Sequence, residues 1–149
     1  MSTYRAVVDW RCEGDFASRR YSRVHQISFD GGLTVPGTAG PANVNPRYSM
    51  EGAMDPEQAF VGSLSACHML WFLDIAARAG FVAETYRDEA EGTLAQGEDG
   101  RQKMTRVVLR PRIAWSGRAP TAEELSDLHH RAHAECFIAN SVKSEVAIE

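Results

Sequence analysis

Apolar positions along the chain fall into alternating and continuous runs, separated by Gly, Pro and Asn clusters. Tyr4 to Arg11 alternates loosely around Val7, Val8 and Trp10, which predicts a strand followed by a turn near Glu13 to Asp15. A second strand is expected over Tyr21 to Phe29. Asp30-Gly31-Gly32 then closes a hairpin onto Leu33 to Val35. From Pro36 to Met50 the composition turns to Gly, Pro, Asn and Ala, a long loop of the kind that often serves function. Asp55-Pro56-Glu57 reads as a helix start, because Asp caps free N–H groups and Pro at the first helical position loses no hydrogen bond. That helix should run to about Ala79 and stop at Gly80. Its middle (Phe60, Val61, Leu64, Met69 to Leu73, Ile75) is apolar nearly all round, which predicts burial on every side and hence a partner subunit. Val82 to Leu94 and Lys103 to Trp115 read as two long strands around a turn at Gln96 to Gly100. Thr121-Ala122-Glu123-Glu124 is a capping box opening a second helix, with Leu125, Leu128, Ala132 and Cys136 on one face. Glu145 to Glu149 is a plausible last strand. The order of strands, helix, strands, helix, strand predicts an α+β class.

No shift of composition divides the chain, so a single domain over residues 1–149 is expected. A net charge of −4 with acids and bases interspersed argues against nucleic acid, which selects a clustered basic footprint. Met1 to Asp9 has no secretory-type apolar core, and the five apolar residues Met69 to Leu73 are flanked by His68, Asp74 and Arg78. A cytoplasmic protein without a membrane span is therefore the expectation. In a reducing compartment three cysteines do not make a disulfide framework; they are buried, metal-binding or catalytic. Asp30-Gly31-Gly32 leads into a strand rather than a helix, so it is a hairpin turn and no phosphate loop.

Cys67 falls mid-helix and Cys136 near the end of the second helix. Each by itself reads equally as a small apolar core residue. Their surroundings carry more. Asp55-Pro56-Glu57-Gln58-Ala59-Phe60, then Ser65-Ala66-Cys67-His68-Met69, and Ala132-His133-Ala134-Glu135-Cys136-Phe137 together resemble the signature of the OsmC/Ohr family. The order of strands and helices agrees along nearly the whole chain. The resemblance implies an OsmC-like fold, antiparallel sheets packed around two central helices in an interwoven homodimer. It also implies a thiol peroxidase that reduces organic hydroperoxides to alcohols. In that family the first cysteine attacks the O–O bond and becomes a sulfenic acid. The second resolves it as a disulfide, and an external dithiol, often lipoyl-linked, restores the pair without a bound cofactor. By position Cys67 would attack and Cys136 resolve. General thiol chemistry agrees, since the thiolate is the nucleophile and a resolving thiol protects a sulfenic acid from over-oxidation. Cys12 lies outside both segments and reads as structural or incidental.

A buried thiolate wants a cation nearby. The resemblance implies an Arg held by a Glu. Glu57 matches the Glu, and Arg47, in Asn45-Pro46-Arg47-Tyr48, resembles the OsmC branch, with Arg20 and Arg23 as competitors. As a helix-start carboxylate, Glu57 would also favour the helix dipole. Glu57 and Cys67 stand ten residues apart, roughly 15 Å along one helix, beyond the reach of a Glu side chain. A Glu57-held Arg would then serve the Cys67 of a second copy, which again points to a homodimer with shared sites.

Two other readings stand beside this one. His129, His133 and Cys136 share a helix face, as zinc ligands could, with His25, His68 or Cys67 as the only candidates for a fourth. The family fold could also serve as a non-catalytic binder of a small apolar ligand. Phe137 replaces a Pro typical of the Ohr branch. Phe60, Trp71 and Phe137 would give the site an apolar lining suited to a greasy hydroperoxide. His68 reads as a hydrogen-bonded core residue rather than a general base.

Overall fold

The structure is a computed structural model that describes residues 1–149. The chain divides into two compact units, Met1–Ala59 and Phe60–Glu149.

In the first unit β1 (Ala6–Asp9), β4 (His25–Phe29) and β5 (Thr34–Gly37) form an antiparallel sheet in the order β1-β4-β5. The Asp30-Gly31-Gly32 hairpin lies where the sequence predicts it, with both glycines at positive φ. The turn expected at Glu13 to Asp15 is instead half of a small hairpin, β2 (Gly14–Asp15) with β3 (Arg20–Tyr21). The expected strand Tyr21 to Phe29 is broken between β3 and β4. There the Arg23 amide donates to the Tyr48 carbonyl at 2.7 Å, and the Arg23 guanidinium folds back on the Tyr21 carbonyl. The long loop is shorter than expected because β5 runs on to Gly37 and Pro46–Tyr48 forms a 3₁₀ turn capped by the Asn45 side chain.

Helix α1 (Pro56–Arg78) begins and ends as the sequence predicts. The Asp55 carboxylate accepts from the Gln58 amide at 2.7 Å, and Gly80 stops the helix at φ +84°. By length and composition α1 could cross a bilayer. In this fold one stripe of it, Leu64, His68, Phe72, Ile75 and Ala76, is buried within the second unit. The expectation of burial on every side is corrected for the single chain: Leu70 remains 64% exposed.

The second unit holds β6 (Val82–Asp88), β7 (Glu91–Gln96), β8 (Gln102–Leu109), β9 (Pro111–Ser116), α2 (Ala122–Glu135) and β10 (Glu145–Ile148). The two long strands predicted from the sequence are each cut in two. β7 and β8 pair antiparallel, with β10 parallel on the other edge of β8, while β6 and β9 form a separate ribbon. The cut has a local cause. Asp88 accepts the Arg110 amide at 2.6 Å and the Ser65 hydroxyl at 2.5 Å, and Pro111 brings no N–H to the ladder. The capping box of α2 forms as expected, Thr121 and Glu124 each satisfying the other's backbone N–H.

Two apolar clusters fill this unit. In the first, Phe72, Ile75, Ala76 and Phe81 meet Leu128 and Ala132, with Tyr86, Ile113 and Trp115 against them. In the second, Leu64, Val107 and Leu109 pack with Phe60, Val61, Ile138 and Val146. Gly92 of β7 belongs to that contact: a Cβ there would meet Val61 Cγ2 at 2.5 Å, so only a bare backbone lets α1 lie this close.

Candidate active site

Cys67 is half-buried on α1 and Cys136 is the 1% exposed C-cap of α2; both thiols are free. They are neighbours. Burial first, and then the adjacent Cys67 thiol, push the Cys136 thiol up to about 11, while the Ala139 amide donates to its Sγ at 3.4 Å. At neutral pH Cys136 is therefore a protonated, shielded thiol. Cys67 opens instead into a groove of about 300 Å³ lined by Leu70, Trp71, Asp74 and Phe137. Leu70, Trp71 and Asp74 follow Cys67 by three, four and seven residues, so one helix face supplies most of the lining. That spacing was readable in the sequence, although Leu70 and Asp74 are not singled out by any motif. Trp71 and Phe137 meet edge to face, ring centroids 5.4 Å apart. Phe60 does not join them; it packs in the second apolar cluster, which corrects the expected lining. The Asp74 carboxylate pairs with Arg78 at 3.0 Å, so the one acid of the groove is partly neutralised.

The charged residues named from the sequence lie in the first unit. Glu57 is half-buried and accepts a hydrogen bond from Asn43 Nδ2 at 3.4 Å; no arginine forms an ion pair with it within the chain. Arg47 is exposed, its guanidinium 5.2 Å from the centre of the Tyr48 ring. Arg20 pairs with Asp15 at 3.7 Å. Arg23 lies 3.6 Å over the Tyr21 ring and lines a cavity of about 390 Å³ with Trp10, Phe16, Tyr21 and His25. Cys12 is exposed, and its thiol approaches only the Gly14 carbonyl, at 3.7 Å.

Next to Cys67, His68 is 1% exposed and its Nε2 shares a 3.0 Å hydrogen bond with Nδ1 of His129, itself 9% exposed. The two rings lie within 13° of parallel, and Phe72 covers His129 at 4.3 Å. His68 is thus the hydrogen-bonded core histidine that the sequence suggests. The zinc arrangement does not form: no three His, Cys, Asp or Glu side chains converge as a metal would need, because His129 turns to His68.

Burial, then the neighbouring His129 and His133, lower His68 from 6.5 to about 4. Burial also lowers His129 to about 4, against an opposing pull from Asp88. The folded pair stays neutral in a pH range where the unfolded histidines take up protons, so the unfolded state binds more protons between about 4 and 6.5. Stability is full above 6.5 and falls as pH drops through that window, by on the order of a few kcal/mol. Melting temperatures measured from pH 7 to pH 4 check this, and His129→Gln, which does not titrate, should flatten the slope.

With this geometry in place, comparison with known proteins gives a family. The sequence profile of the OsmC-like proteins matches residues 49–149. The chain belongs to the OsmC-like family. An OsmC-like protein of unknown function from Vibrio cholerae is 45% identical, with a TM-score of 0.97 over 100% of this chain and 99% of that one. An organic hydroperoxide resistance protein from Bacillus subtilis shares 20% identity and a TM-score of 0.71, over 99% of this chain and 97% of its own. One from Elizabethkingia anophelis gives the same identity and TM-score, over 99% and 93%. No curated protein matches the sequence. The α+β OsmC-like fold read from the sequence is thus the fold observed, with one refinement: the pairing of β10 with β8 in this OsmC-like chain is parallel.

Proposed function

We propose that this OsmC-like protein is a thiol peroxidase that reduces organic hydroperoxides to alcohols. The observation that carries the reading is the asymmetry of the thiol pair: Cys67 opens into an apolar groove, and Cys136 lies buried and protonated beside it. The Cys67 thiolate attacks the outer peroxide oxygen, the O–O bond breaks, and the alkoxide leaves as alcohol after taking a proton. The resulting sulfenic acid meets Cys136, which forms the disulfide and releases water. An external dithiol, such as a lipoyl-linked one, then reduces the disulfide, as a free thiol pair in a reducing, cytoplasmic setting requires. The reaction needs no bound cofactor. Leu70, Trp71 and Phe137 favour a substrate with an apolar body over hydrogen peroxide.

No lysine or arginine lines the Cys67 groove. In this reading the cation comes from a second copy, as Arg47 oriented by Glu57, in a homodimer with sites at the subunit interface. The ten-residue spacing of Glu57 and Cys67 on one continuous helix and the exposed Leu70 support it. Light scattering should return twice the mass of a single chain; a monomeric mass under assay conditions would sink the shared site.

The deciding experiment follows consumption of an organic hydroperoxide by the purified protein with a dithiol, beside hydrogen peroxide at equal concentration. Faster consumption of the organic substrate is expected. A protein no faster than its Cys67→Ser variant would not be this enzyme.

A further inference from the structure

The buried pair His68–His129 has no part in the chemistry above, yet it sits directly beside it. His68 follows Cys67 on α1, and His129 stands seven residues, two turns or roughly 10 Å, before Cys136 on the same face of α2. Its 3.0 Å bond links the two elements that carry the thiols. Two apolar side chains would fill this space without the cost of burying imidazoles, and Nδ1 of His68 is left with no partner at all. What a hydrogen bond adds to packing is direction: it sets both the distance between the helices and their rotation, where an apolar contact permits sliding. Phe72, from within α1, covers one face of the His129 ring while His68 holds its edge through the nitrogen.

We propose that His68 and His129 are positioning residues for disulfide formation, a tie between α1 and α2 that keeps Cys136 aligned on Cys67. The inference rests on the thiol-peroxidase reading of this pair. Formation of the disulfide demands more of geometry than the first attack does. A free hydroperoxide diffuses to Cys67 and orients itself. Cys136 is fixed in the fold and must approach Cys67 Sγ opposite the departing oxygen. In that step the Cys136 sulfur forms the S–S bond, the S–O bond of the sulfenic acid breaks, and hydroxide leaves with the thiol proton as water. Loosening the tie should slow this step and spare the first.

The test needs no peroxide. In a Cys12→Ser background, an aromatic disulfide reagent releases one coloured thiolate when Cys67 attacks it and a second when Cys136 displaces the mixed disulfide. His129→Phe should keep the first rate within about twofold and slow the second roughly tenfold or more, the scale of a small misalignment. His129→Gln, which can still bond to His68, should bring the second rate back. Should His129→Phe melt too low to assay, His68→Leu removes the bond from the other helix and is read the same way. Unchanged rates, a parallel loss of both steps, or a Gln variant no better than Phe would overturn the proposal. The expected variant pattern in a protein that consumes no hydroperoxide would overturn the peroxidase reading and leave the tie standing.

Discussion

Cys67→Ser is expected to lower organic hydroperoxide turnover by roughly three orders of magnitude or more, as loss of a nucleophile does in other covalent catalysts. A serine hydroxyl is a poor nucleophile without a base, and no histidine, lysine or arginine lines the groove to activate one. Cys136 cannot substitute, being 1% exposed and held as a thiol up to about pH 11 by burial and by its neighbour. Cys136→Ser should behave differently. The first equivalent of peroxide should be consumed at the ordinary rate, after which Cys67 stays a sulfenic acid and over-oxidises with excess substrate. Burst and steady-state consumption separate the two variants, and intact mass gives one added oxygen, then more, on Cys136→Ser. Equal loss of burst and steady state in both would mean that the roles of the two thiols are not divided as proposed.

Phe72→Ala should destabilise the protein by about 3–5 kcal/mol, the usual cost of emptying a fully buried aromatic site. Phe72 is 0% exposed and touches Tyr86, Trp115, His68 and His129, so its ring joins α1 to β6, β9 and α2 at once. Little around it can collapse into the space, since its neighbours are rings themselves held by other contacts. At a few degrees per kcal/mol for a chain of this size, the melting temperature should drop by about 10 °C or more. Phe72→Leu should recover much of the loss. Loss of the ring also removes the backing of His129, so the Ala variant should form its disulfide slowly even at temperatures where it is folded. A drop of only a degree or two in thermal unfolding would mean that the apolar cluster does not depend on Phe72.

Much of this is legible in the sequence. Helix α1 is announced at both ends by chemistry confined to a few residues: Asp55 and Pro56 at its start, Gly80 at its stop. The capping box of α2 and the glycine hairpin are equally local, because capping and turn bonds join residues two to four apart. The two cysteines, too, stand out through their neighbours in sequence, and the lining of the Cys67 groove is largely a matter of helix periodicity. What failed was the reading of continuity. Val82 to Leu94 and Lys103 to Trp115 alternate well enough to pass for single strands. Each divides because Asp88 reaches across to the Arg110 amide, a partner 22 positions away. Pattern fixes which face of a strand is apolar but not where the ladder changes sheets.

The sequence by itself therefore determined the kinds of element and their order, since those depend on interactions within a few residues, and it marked the two thiols through the family resemblance of the segments around them. Only the tertiary structure decided that Cys136 is buried against a half-open Cys67, that Phe60 belongs to the interior rather than the groove, and that His129 bonds to His68 instead of offering itself to a metal. Each of these joins residues far apart in the chain, and its energy comes from excluding water between surfaces that exist only once the helices and strands have packed.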